Sequence, residues 1–160
     1  MRHAKSDWGA GLSSDRERPL APRGVKAAER MGRIMTKIGA APGLVLSSPA
    51  VRARTTAELA AEAGGWKTGV EIVSSFYGGG WTDVVDGVLA SGSSERRILV
   101  VGHEPTWSDL VSALTGGGQV AMPTAALACV AVPGEDWSRL GPGCGELLWH
   151  LTPRMLKPLV

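Results

Sequence analysis

Three short stretches of the chain hold residue types suited to an anion. The chain opens "MRHAKSDW", with Arg2 beside His3; "VLSSPAVRARTTAE" carries Arg52 and Arg54; "VVGHEPTW" carries His103. Histidine titrates near neutral pH and serves as nucleophile, acid or base. Arginine stays charged and grips phosphate through two N–H groups at once. In the second and third stretches an apolar run leads straight into a helix start. That junction is the carboxyl end of a buried strand, where ligands of open α/β sheets bind, and the free N–H groups of the following helix favour an anion. Arg52 and Arg54 stand two residues apart, so helical geometry admits at most one of them to such a site. Brought together, Arg2, His3, one of these arginines and His103 make a phosphate site with a candidate nucleophile. His103 taken alone reads equally as a histidine satisfied by a loop carbonyl. The chain contains no HExxH, no Cys/His ligand set, no P-loop and no GxSxG, so metal and serine hydrolase chemistry have little support.

The elements that must position these residues alternate along the chain. "RGVKAAERMGRIMTKIG" has apolar and small residues at helical spacing and stops at Gly39. "GLVLSS" reads as a short buried strand. "SPAVRARTTAELAAEAGG" reads as a helix with Ser48 as N-cap and Pro49 at its first position. "VEIVSS" reads as a strand, "WTDVVDGVLAS" as a helix, and "RRILVVGH" as a buried parallel strand. "PTWSDLVSALTGG" is a further helix beginning at Pro105, and "ALACVAV" and "GELLWHL" are two further strands. Strands alternating with helices predict an α/β layer fold around a largely parallel sheet.

The bulk numbers exclude several classes. A length of 160 residues predicts one domain, residues 1–160, and a net charge of +2 argues against nucleic-acid or membrane-surface partners. No apolar run reaches the roughly 20 residues a membrane span needs. No apolar signal segment follows the opening residues. Cys129 and Cys144 form no metal or redox spacing, which predicts a reduced, disulfide-free, cytoplasmic protein. Cys129 reads as a small buried hydrophobe and Cys144 as a loop thiol. Of the six tryptophans, Trp8 and Trp107 closely follow the two histidine motifs; they read as core, or else as walls of the pocket. Thr124 reads equally as a turn residue or as a hydroxyl near the site.

With these motifs in view, the chain resembles the histidine phosphatase superfamily, the phosphoglycerate mutase-like fold. Within it the chain is most similar to the small SixA-type phosphohistidine phosphatases. The likeness rests on "RHAKSDW", "DRERPLAPRG", "SSPAVRARTTAE" and "VGHEP" in that order, with "GELLWHLTPRML" at the end. It implies a three-layer α/β/α domain with a mostly parallel central sheet. It also implies that His3 is the nucleophile and that Arg2, Arg52 and His103 surround the phosphate, with Arg52 rather than Arg54 as the pocket arginine. Lys5, Arg18 and Glu104 are the expected substrate contacts at the rim, although Asp15 with Arg18 reads equally as a turn. No metal and no cofactor is expected, because cationic side chains neutralise the phosphoryl group. The expected partner is a phosphohistidine-bearing phosphotransfer domain or a small phosphorylated molecule, met by a monomer. A non-catalytic phosphate- or phosphoprotein-binding module is the rival reading.

Three features depart from the family pattern. Only Met1 precedes the Arg-His pair, so the first strand is expected to be truncated, and the upstream coding frame is expected to encode several aliphatic residues. Glu104 stands where the branch carries asparagine; a carboxylate facing the phosphate would repel it, so an outward direction is expected. The middle stretch "SSFYGGGWTDVVD" offers Asp83 and Asp86 but no matched general acid. Imidazole leaves as a weak base, with a reference pKa of about 6.5, and needs less proton help than an alkoxide. The missing acid therefore points toward P–N bonds.

Overall fold

The computed structural model describes residues 1–9 and 14–156. Among the described residues four α-helices and five strands follow in the expected order: α1 (Pro22–Lys37), β1 (Leu44–Ser47), α2 (Val51–Gly64), β2 (Val70–Ile72), α3 (Trp81–Ala90), β3 (Ile98–Val101), α4 (Thr106–Leu114), β4 (Leu127–Ala131) and β5 (Glu146–Leu151).

The strands form two ladders. β2, β1 and β3 pair in parallel in that order, with Val45 opposite Val70 and Leu99. β4 and β5 pair antiparallel, with an irregularity between Cys129 and Val130. The sheet is thus parallel on one side of the molecule and antiparallel on the other. Residues 1–3 form only a single parallel bridge, Arg2 to Gly102, yet their backbone joins the two ladders. His3 donates its N–H to Gly102 O at 2.8 Å, and Gly102 donates to Met1 O at 3.2 Å. On the other side Arg2 donates to Ala126 O and Ala125 donates to His3 O, both at 3.1 Å.

Period-two alternation divides the core between two faces. Val45, Leu99 and Val101 point to one face and meet Ala28, Met31 and Met35 of α1 and Ala53 and Ala57 of α2. Leu44 and Leu46 point to the other and meet Val84, Val85 and Val88 of α3, Trp107, Leu110 and Leu114 of α4, and Phe76. The outcome is three layers, helices on both faces of a sheet. An apolar cavity is lined by Val84, Ile98, Leu110, Ala128, Val130 and Trp137. Cys129 and Cys144 are both free and half-buried. Among the described residues no helix is long and apolar enough to cross a membrane.

One local expectation is corrected. Helix α2 starts at Val51 with Ala50 as its N-cap, not at Pro49 after Ser48, because the Ala50 backbone is extended (φ −62°, ψ 134°), although Ser48 Oγ still accepts the Ala50 N–H. Gly24 lies inside α1, as expected, and it is required there: a Cβ at this position would overlap the backbone of Lys5. The absence of a side chain lets α1 lie directly against the segment that follows His3.

Candidate active site

β1 and β3 are parallel neighbours, so their carboxyl ends lie side by side. β1 runs into Ser48 and then α2; β3 runs into Gly102, His103 and then α4. The main-chain bonds of residues 1–3 place Arg2 and His3 against the same edge. Residues far apart in sequence therefore line one cavity of about 240 Å³: Arg2, His3, Lys5, Arg18, Arg52, His103, Glu104 and Thr124, joined by Ser6 and Trp8. Every residue expected at the site lines this cavity. Arg54 does not; it is exposed on α2 and pairs with Glu58.

His3 is 7% exposed, and its Nδ1 lies 2.7 Å from the carbonyl oxygen of Ala4. A carbonyl only accepts, so Nδ1 carries the proton and donates it. The other nitrogen, Nε2, is left with its lone pair. Burial, then the charges of Arg52, Arg2 and Arg18, push the His3 pKa down to about 4 against the opposing effect of the Ala4 bond. At neutral pH the ring is uncharged and the Nε2 lone pair is free of a proton. The His103 ring lies 5.1 Å away, centroid to centroid. Its pKa is pushed down to about 3 by burial first, then by His3 and Arg52.

The arginines are held but not satisfied. Arg52 is 5% exposed; its Nη1 donates to the main-chain oxygen of Asp15 at 2.6 Å and its Nη2 to Asp15 Oδ2 at 2.9 Å. Arg2 Nη1 donates to Met122 O at 2.9 Å. Buried polar side-chain atoms without a partner, among the described residues, are Arg2 Nε, Arg52 Nε, His103 Nδ1 and His150 Nε2. The first three belong to residues lining one cavity. Buried polar groups are almost always paired, so the unpaired arginine N–H groups clustered here mark a place where an acceptor binds. Among the described residues no group of three or more His, Cys, Asp or Glu is placed to hold a metal ion.

Asp15, Ser6, Tyr77 and Ser48 carry more of the site than the sequence signals. Asp15 bridges Arg52 and Arg18 and accepts the Tyr77 hydroxyl at 3.1 Å. Although burial opposes it, the hydrogen bond from Arg18, then Arg52 and Tyr77, holds the Asp15 carboxyl below the usual carboxylate range. Arg18 also donates to Ser6. The Tyr77 ring stands edge-on to His103 with centroids 5.5 Å apart. The Asp15–Arg18 spacing was a visible turn signal; nothing local marks Tyr77. Trp8 departs from the core reading: it is 75% exposed and stacks on the Arg18 guanidinium, while Trp107 is buried in the core. Glu104 lines the cavity, but its two carboxylate oxygens accept from the N–H and hydroxyl of Ser108 in α4. Asp83 turns back to the N–H of Gly80 at the start of α3.

The sequence model of the histidine phosphatase superfamily (branch 1) matches residues 1–76. An uncharacterised protein of Mycobacterium tuberculosis is 34% identical over 168 residues, spanning 96% of this chain and all of its own length. The chain belongs to the histidine phosphatase superfamily. Its backbone matches that of the protein histidine phosphatase SixA, solved with tungstate, at a TM-score of 0.82 and 26% identity, covering 98% of this chain and 97% of that one. A Nakamurella multipartitia chain classed with SixA matches at a TM-score of 0.77 and 25% identity, covering 96% and 93%. This histidine phosphatase therefore falls in the SixA-type branch, with the phosphoglycerate mutase-like fold, and its activity is that of a phosphatase.

Proposed function

We propose that this phosphatase hydrolyses phosphohistidine carried on a protein, through a covalent phosphohistidine intermediate on Nε2 of His3. The observation that carries the reading is the pairing of a neutral, proton-free Nε2 with buried, unpartnered N–H donors on Arg2 and Arg52 and an unpartnered Nδ1 on His103. A nucleophile and an oxyanion seat share one cavity.

In the first step the Nε2 lone pair attacks phosphorus. The P–N bond to the substrate imidazole breaks, and that imidazole leaves with the bonding electrons and takes a proton from water. In the second step water attacks phosphorus from the face the leaving group vacated. The P–Nε2 bond breaks, the proton released by the attacking water neutralises the hydroxide left by the first step, inorganic phosphate departs, and His3 regains its lone pair. The Ala4 carbonyl keeps the Nδ1 proton in place and stabilises the positive charge that grows on the ring during attack. Arg2, Arg52 and His103 stabilise the equatorial oxygens, and Lys5 and Arg18 draw the anion to the rim. In this reading the guanidinium groups neutralise the phosphoryl charge, and neither metal nor cofactor enters a step. The similar SixA structure is a complex with tungstate, an oxyanion, which supports a phosphoryl ligand for this fold.

The carboxyl groups support a P–N substrate. Asp15 is held ionised by its arginines, and Glu104 is committed to Ser108. Neither is free to protonate an alkoxide, whereas an imidazole needs little such help. The expected donor is a phosphotransfer domain of a signalling relay, met in the cytoplasm by a single copy of the chain.

The test is intact mass after acid-free quench, with a phosphorylated phosphotransfer domain as donor, for the wild type and His3→Ala. One added phosphoryl group that maps to His3 and is missing from the variant is the expected result. An unmodified enzyme with the donor still phosphorylated would overturn the reaction, and much faster turnover of a sugar phosphate would overturn the substrate class.

A further inference from the structure

Ser48 is fully buried in the turn between β1 and α2. Its hydroxyl oxygen lies 2.7 Å from Nε2 of His103 and accepts the N–H of Ala50 at 3.3 Å. Among the described residues it is the sole hydrogen-bond partner of the His103 ring. A hydroxyl has one proton to give. With Ala50 donating to the oxygen, the proton is available to Nε2, and a neutral imidazole that accepts at Nε2 must carry its own proton on Nδ1. Nδ1 is the buried atom for which the protein supplies no acceptor.

We propose that Ser48 is a positioning residue that sets the tautomer of His103, so that Nδ1 offers its proton to a phosphoryl oxygen in the cavity. The proposal rests on the reading of His103 as a phosphoryl contact. It explains how two histidines only 5.1 Å apart take opposite tasks. The Ala4 carbonyl, an obligate acceptor, takes the His3 proton and leaves a nucleophile. The Ser48 hydroxyl, acting as donor, fills the His103 lone pair and leaves a hydrogen-bond donor.

The tautomer is read directly by long-range ¹H–¹⁵N spectra of the full chain with ¹⁵N-labelled histidine, at neutral pH. The expected wild-type ring is protonated at Nδ1 and bare at Nε2. Ser48→Ala is expected to release the ring to the other tautomer, and Ser48→Thr, which restores the hydroxyl, to return it. Titration with inorganic phosphate is expected to shift the His103 Nδ1 signal in the wild type and far less in Ser48→Ala. With a phosphohistidine donor, kcat/KM should fall roughly ten- to a hundredfold in Ser48→Ala, as for partners that orient a functional group, and recover in Ser48→Thr. A wild-type ring protonated at Nε2, or a tautomer unchanged by Ser48→Ala, overturns the proposal. If Ser48→Ala does not fold, the wild-type tautomer and the phosphate titration decide alone. The spectra need no turnover, so a failure of His3 to form an adduct is a separate result, against the reaction and not against Ser48.

Discussion

At the scale of single residues the site works by withholding water and protons. His3 and His103 have pKa values pushed from the ordinary 6.5 down to about 4 and about 3. The neutral form is thus the native one, and acidification protonates the unfolded chain first. Stability is full above about pH 6.5 and is lost as pH falls toward the native values. Urea midpoints measured at pH 7 and pH 5 should show that loss in the wild type and less of it in a His3→Gln, His103→Asn double variant; equal losses would count against it. Activity has the same sign. The acid limb of kcat/KM for a small acid-stable phosphoryl donor should centre near the His3 value of about 4, and a limb at 6.5 would mean the ring is not desolvated. Asp15 acts one contact further out. Removing its carboxylate in Asp15→Ala frees both Arg52 and Arg18, so KM should rise about tenfold with kcat little changed. Tyr77→Phe, which removes one bond to the exposed side of that carboxylate, should stay within about twofold; a larger effect would place the Tyr77 hydroxyl in the reaction itself.

At the scale of elements the decisive feature is the close approach at the end of β3. Gly102 lies between the backbone of Met1 and His3 and the indole of Trp107, which is 1% exposed. A Cβ on Gly102 would overlap that ring. Gly102→Ala should therefore cost about 1–3 kcal/mol in urea unfolding and displace His103 next to it. A stability change under about 0.5 kcal/mol, the range of neutral surface changes, would show that the indole moves aside. Most elements were legible in the sequence. Apolar periodicity marked the helices and the continuous apolar runs marked β1 and β3, because both signals are local. The start of α2 was placed two residues early: Ser48 Oγ does accept the Ala50 N–H, as a capping serine would, but Ala50 stays extended and the helix begins at Val51.

At the scale of the molecule two core clusters share one sheet. Met31 is fully buried against α2 on one face, and Phe76 meets Trp107 edge-on with centroids 5.7 Å apart on the other. Strands whose alternate residues serve both faces couple the two layers. Met31→Ala and Phe76→Ala should each cost about 2–5 kcal/mol and each lower the same single unfolding transition, followed by circular dichroism and tryptophan fluorescence together. Two separate transitions would show that residues 1–160 hold more than one folding unit.

The sequence by itself determined the alternation of strands and helices, the strand–helix junctions that carry Arg52 and His103, and the order of motifs that marks the family. These are short-range patterns, set by backbone chemistry within a few residues. The tertiary structure alone decided who holds whom. Arg52 is tied to Asp15 across 37 residues, Tyr77 to Asp15 across 62, and Ser48 to His103 across 55. Such bonds form only when the folded sheet brings its loops to one edge, and there a carbonyl on one histidine and a hydroxyl on the other give two identical side chains different protons.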